Sequence, residues 1–173
     1  LVYGVDPRHA TRVSAYERAM RERARLLKSG QRSDQWVLAL ENTMAEYGVA
    51  IAAARRDAVS QLSGVLAAAI GPFPAAAVAV DGSVEAMLND MAALDAEQAF
   101  RDALTAARGR DAETGGAAVG PHRSDLAVTH LDKGLPARQC STGEQKALLI
   151  SIVLADARVA ALRTGAAPLL LLD

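Results

Sequence analysis

The run Cys140-Ser141-Thr142-Gly143-Glu144-Gln145-Lys146 carries the most legible chemistry in this chain. Three small residues stand directly ahead of an apolar stretch, ALLISIVLA. At the start of a helix they leave the first backbone N–H groups and the positive end of the helix dipole open to an anion, which is the physics of phosphate binding. Ser141 and Glu144 also have the S-x-x-E spacing of a capping box, and by spacing alone the run is better explained as an ordinary helix cap, since capping boxes are common. One helix further on, Leu169 to Leu172 are four consecutive leucines that end in Asp173. This suits a parallel strand buried on both faces. Its acid falls at the C-terminal end, where open α/β sheets hold ligands and where Mg²⁺ is commonly bound beside a nucleotide's phosphates.

Four further residues are candidates for a DNA contact: His122 and Arg123 in the run GPHRSDL, and Arg21 and Arg25 in a basic N-terminal stretch. Residues 1–32 hold eight Lys and Arg against three acids, so any basic face is local. The whole chain has a formal charge of -1 and a pI near 6.4, which gives no overall electrostatic case for nucleic acid or membrane. The bland readings are a solvated helix face for the arginines and a structural turn for His122 and Arg123. Cys140 has no base near it and is given no catalytic part.

These residues must be positioned by a largely helical chain. Its 173 residues suit one domain or two small lobes, and with 51% apolar but only 3% aromatic residues the core must come from Ala, Leu, Val and Ile. A single cysteine fits a reducing cytoplasm. No apolar run approaches about 18 residues and no signal peptide is evident, so the expectation is a soluble cytoplasmic protein without a membrane partner. The absence of an initiator Met, and the stop after four leucines, suggest that both ends are cut.

Asp6-Pro7 opens a helix that reaches Lys28 and closes at Ser29-Gly30. A second helix runs from Ser33-Asp34 to about Ala69, with Trp36, Leu40, Met44, Tyr47, Ile51, Ala54, Ala58, Leu62 and Leu66 at three- and four-residue spacing. Trp36 and Tyr47 are expected between the two helices, in an antiparallel hairpin. A strand follows at 75–82, helices near 83–92 and 94–108, and a glycine-rich loop over 108–123. Strands at 124–130 and 135–138 pair around Asp132-Lys133-Gly134. The helix behind the Ser141 turn, apolar on nearly every side to about Arg163, is expected to be buried all round.

STGEQK, an apolar helix and LLLLD resemble the signature motif and Walker B strand of ABC-type ATPases, in the branch containing the SMC and Rad50 proteins. Within that branch, GPHRSDL and DPRHATRVSAYERAMRERARLLKSG resemble the RecF family, and the likeness covers essentially the whole chain. It implies an α/β protein: a helical hairpin lobe over 1–72, a connector of helices and a strand over 73–119, and an ATPase signature and Walker B segment over 120–173. No G-x-x-x-x-G-K-[ST] occurs, and the glutamate that follows the Walker B aspartate in the family would come after Asp173, so this chain alone is expected to be inactive.

The resemblance implies ATP and Mg²⁺ as cofactors and an ATP-dependent homodimer on DNA, at single-strand/double-strand junctions or gaps, with RecR as partner. Ser141 and Gly143 would reach the γ-phosphate bound by the opposite subunit, with Thr142 and Glu144 in the same turn and Gln145 and Lys146 supporting it. Asp173 would act catalytically in its own subunit through Mg²⁺. The chain departs from the family pattern at Cys140, Thr142 and Glu144, and the Glu144 carboxylate is expected to weaken phosphate affinity. The alternatives are a Rad50 or SMC head, whose long heptad coiled coil has no counterpart here, an ABC transporter subunit, which has neither GPHRSDL nor the hairpin, and a helical interaction module in which STGE is only a cap.

Overall fold

The computed structural model describes residues 2, 6–30, 34–68 and 71–170. They form two compact units, one containing Asp6–Ala54 and Asp81–Asp125, the other containing Arg55–Val80 and the chain from Leu126 onward.

The first unit is helical. Helix α1 (His9–Ser29) begins later than expected: Asp6 sits ahead of its N-terminus, accepting from the Arg8 N–H at 2.9 Å and pairing with Arg12. Gly30, at φ +68°, ends the helix in the left-handed conformation that glycine adopts without strain. Helix α2 (Asp34–Leu66) has 33 residues, about 50 Å at the α-helical rise, and contributes its first part to this unit. Tyr16 lies by Gly48 and Arg23 by Glu41, so α1 and α2 run antiparallel. Trp36, expected in the core, is 68% exposed; its position in the helix turns it outward, while Val37, Glu41, Met44 and Ala45 occupy the inner face. Tyr47 is half-buried against the core.

Helix α3 (Ser83–Asp90) and helix α4 (Ala93–Thr114) complete the unit. α4 continues into the run read from sequence as loop. Its last turns face inward through Asp111, and Gly115 at φ +73° supplies the cap. Tyr16, Met44, Ile51, Val84, Phe100 and Leu104 build the core. At Gly48 a Cβ would stand 2.6 Å from Phe100 Cε1, so glycine is what lets α2 and α4 approach so closely.

The second unit carries the sheet, ordered β1 (Ala76–Asp81), β2 (Asp125–His130), β3 (Leu135–Pro136). β2 and β3 are antiparallel, with Thr129 opposite Pro136 and His130 opposite Leu135. Gly134, at φ +62°, donates to the His130 carbonyl and closes the turn. β3 is short because Pro136 has no N–H to continue the ladder. Helix α5 (Thr142–Thr164) packs Leu148 and Ala155 with Leu62 and Leu66 of α2 and with Ala76 and Val78 of β1. The burial of α5 is narrower than expected. Leu148, Ser151, Ala155 and Val159 form one buried stripe, whereas Leu149 and Leu162 are exposed. Ser151 explains part of this: its hydroxyl donates to the Pro74 carbonyl at 2.9 Å, which fixes a polar residue, not a leucine, on the inner face.

Candidate functional site

The Ser141 turn sits where the short 3₁₀ turn Ala137–Gln139 delivers the chain to α5. Ser141 is the N-cap of α5, and both halves of the capping box are made. The Ser141 hydroxyl accepts from the Glu144 N–H at 3.4 Å, and Glu144 Oε2 accepts from the Ser141 N–H at 2.9 Å. Gln145 Nε2 donates to the Cys140 carbonyl at 3.0 Å, tying the helix back to the chain ahead of the turn. Cys140 is buried, its thiol directed at the Pro136 carbonyl.

The cap leaves the tip open. Ser141, Thr142 and Gly143 are exposed, and a Cβ on Gly143 would meet no heavy atom within 4 Å. Thr142 and Gly143 N–H groups have no hydrogen-bond partner among the described residues. Open space above two unsatisfied N–H groups at a helix start fits a phosphate oxygen. Glu144 is less of an obstacle to that anion than its charge suggests. Lys133 pairs with its Oε1, and this hydrogen bond first, then those from Ser141, hold its carboxyl down to about 2. Lys146 is exposed on the first turn of the helix. Asp173 lies outside the described residues, as do Leu171 and Leu172. Leu169 and Leu170 form no strand and are exposed.

The four DNA candidates all lie in the helical unit, on one cleft of about 380 Å³. Its walls are α1, through Met20, Arg21, Ala24, Arg25 and Lys28, and the chain from Gly115 to Arg123. Lys28 is the cation that sequence reading missed; it stands one helical turn beyond Arg25. Among the described residues, none of those that line the cleft carries a carboxylate. Arg21 and Arg25 make only exposed, 3.4 Å pairs with Glu17 and Glu22, which an incoming phosphate can displace at little cost.

GPHRS is built into the structure residue by residue. At Gly120, φ +142°, a Cβ would fall 2.2 Å from the Tyr16 hydroxyl. His122 Nε2 is 3.0 Å from the Ala117 carbonyl, which can only accept, so this nitrogen carries the hydrogen, and Nδ1 lies 2.8 Å from the Tyr16 hydroxyl. Arg123 donates through Nε to the same carbonyl at 3.3 Å, with no partner for its terminal nitrogens among the described residues. Ser124 donates to Glu85 at 2.7 Å.

Behind the cleft lies a buried ionic cluster that sequence reading also missed. Arg23 is 1% exposed and bonds Glu41 at 2.9 Å, Asp111 at 2.7 Å and the Leu104 carbonyl at 2.6 Å. Arg108 and Thr105 complete the shell of Glu41. Burial alone would raise the Glu41 carboxyl, but the hydrogen bonds of Arg108 and Arg23 outweigh it and hold it below its ordinary value. Asp111 also accepts from the Ala118 N–H at 2.8 Å, so the cluster fixes the loop that forms one wall of the cleft. Helical phase signals Arg23: it shares the buried face of α1 with Tyr16 and Ala19.

A short sheet leading through an open serine–glycine turn into a long capped helix, together with a helical unit, is a mainly helical α/β arrangement that solved structures share. Solved structures described as the recombination mediator protein RecF-ATP and RecF-ATPrS in the RecFOR pathway share the fold, each with TM-score 0.82, at 20% and 18% identity, over 97% and 95% of this chain and 46% and 45% of theirs. Over its whole length the chain is similar to the C-terminal part of curated RecF proteins. "DNA replication and repair protein RecF" of Mesorhizobium japonicum and that of Brucella abortus are each 49% identical to it, and that of Rhizobium etli 42%, all over 100% of this chain. The chain spans about half the length of these relatives, 46% in each case. No protein-family model matches it. No helix among the described residues is long and apolar enough to cross a membrane.

Proposed function

We propose that this chain is the C-terminal part of a RecF-like, ATP-dependent DNA-binding protein of recombinational and replication-gap repair, acting in the cytoplasm. The observation that carries the nucleotide half of this reading is the open tip at Gly143, with the Thr142 and Gly143 N–H groups unpaired above a rigidly capped helix. In the intact protein that tip meets the γ-phosphate of ATP held by a second copy, so two heads associate only when nucleotide lies between them. Ser141 offers its hydroxyl, Gly143 offers room and an N–H, and Gln145 and Lys133 hold the turn in shape. Asp173 is the residue of this chain that would hold Mg²⁺, and bound ATP–Mg²⁺ supplies the scissile phosphoanhydride. The ATPase belongs to the intact protein; this segment, with no Walker A sequence, does not hydrolyse ATP by itself. The cations of the cleft, Arg21, Arg25, Lys28 and Arg123, contact DNA phosphates at junctions or gaps, and RecR is the protein partner.

Light scattering on the full-length protein, with and without ATP–Mg²⁺, tests the half-site. Ser141→Arg should abolish nucleotide-dependent dimerisation while the fold, followed by circular dichroism, persists. The complete capping box favours a second reading, a helical interaction module in which Ser141 only caps α5. On that reading its replacement lowers stability by about 0.5–2 kcal/mol and leaves association indifferent to ATP.

A further inference from the structure

We propose that the cleft of the helical unit takes in one unpaired nucleotide of a DNA strand. Its phosphate would rest on Arg21, Arg25, Lys28 and Arg123, and its base over the floor of Met20, Ala24 and Ala117. This rests on the DNA-binding reading above and says what part of the DNA the site selects. A duplex bound only through its phosphates needs a basic track and leaves a hollow unused. Here the cations stand around an open cleft of about 380 Å³, roomy enough for one nucleotide. A cationic rim over an apolar floor matches a ligand that is anionic at one end and a flat ring at the other. Single-stranded nucleic acid is held by cations that track its phosphates, and here the base would lie against Met20, Ala24, Ala117 and the ring of His122.

Two features make the cleft ready to receive such a group. A Cβ on Gly115 or Gly116 would meet nothing within 4 Å, so the wall is open where a base would enter. The walls are also fixed in advance. Asp111 holds the Ala118 N–H, and His122, with Tyr16 and Ala117 on its two nitrogens, has no hydrogen bond left to form and presents ring surface instead.

The test uses the full-length protein and fluorescence anisotropy at fixed salt with three probes: a blunt duplex, the same duplex with a single-stranded gap, and a free deoxynucleoside monophosphate. Gly116→Leu fills the hollow and keeps every charge, and its backbone is not left-handed, so leucine is tolerated there. Ala24→Leu fills the hollow from α1 and guards against a folding defect in the first variant. Either should weaken gapped-DNA binding several-fold, with the blunt duplex, held only through cations that both variants keep, much less changed. Arg25→Glu combined with Arg123→Glu should weaken both DNA probes and flatten the salt dependence. If the filled variants bind gapped DNA normally while the charge variant weakens both probes, nucleotide insertion is wrong and DNA binding at the cleft stands. If the charge variant changes neither probe, the DNA reading of the cleft fails altogether. A free monophosphate that binds as tightly as gapped DNA, and is lost in Gly116→Leu, overturns the DNA strand as the ligand's source.

Discussion

The Ser141 turn and the basic cleft are both anion sites by construction, yet they are built in opposite ways. The turn is one contiguous run whose geometry is set within four residues by the Ser141–Glu144 capping box. The cleft joins residues 20–28 to residues 115–123, and its walls stand where they do because of a buried cluster about Arg23. The turn presents backbone N–H groups and one balanced carboxylate; the cleft presents side-chain cations, two of them loosely paired with the exposed carboxylates of Glu17 and Glu22. A site made from backbone dipoles at a helix start demands a ligand in a defined position. A site made from long, solvated cations tolerates a ligand whose position varies, as a DNA strand requires.

The largest effect expected from breaking this contrast is at Arg23. Arg23→Ala leaves Glu41 and Asp111 as buried carboxylates with a partner removed, a defect that costs about 3–5 kcal/mol. Urea denaturation combined with hydrogen exchange should show protection lost in α1 and α4 and the α5 cap still formed. Equal loss of protection in α5 would mean that the two sites are not independently built. The cleft should fail to bind DNA well before the turn loses its shape.

The same contrast explains what the sequence disclosed. The turn, the cap, the strand pair around Gly134 and the stop at Gly30 are local, each decided by hydrogen bonds or φ angles within a few residues, and each was readable. Trp36 was misplaced because three- and four-residue spacing does not say which of two adjacent stripes on a long helix faces inward. Nothing local distinguishes Arg23 from the solvated arginines around it, because only its ionic partners, 18 and 88 positions away, make its burial possible. Glycine and charge make the run from Arg108 to Thr114 look like loop, yet it is helix, anchored by Arg108 and Asp111 through partners far along the chain.

An intermediate effect is expected at Gly143. Because its backbone is not left-handed and a Cβ there meets nothing, Gly143→Ala should leave thermal stability within about 0.5 kcal/mol. The added methyl occupies the space above the free N–H groups, so ATP-dependent association of the full-length protein should fall about tenfold or more. Unchanged association, with unchanged stability, would remove glycine from the list of residues that the nucleotide needs.

The smallest effect, and the sharpest measure of how the sites differ, is the response of two carboxylates to acid and salt. Glu144 is held at about 2, against an ordinary 4.5, first by Lys133 and then by Ser141. A folded value below the unfolded one means that its contribution is complete above about 4.5 and is lost as the pH falls through about 2. The first turn of α5 should therefore keep its cap at neutral pH and fray only in strong acid. Lys133, raised by the same hydrogen bond, contributes below its ordinary 10.5 and loses that contribution as the pH rises through its higher folded value. Carboxyl NMR titration in Lys133→Ala should move Glu144 part of the way back toward 4.5, the remainder being the work of the Ser141 N–H. About 1 M salt should produce a similar partial return, because the pair is exposed and screened. Glu41 is lowered by Arg108 and Arg23 from inside the core, so the same salt should leave it nearly unmoved. If salt shifted both carboxylates alike, the cluster behind the cleft would be open to water, and the distinction between a locally capped site and one held by a buried core would fail.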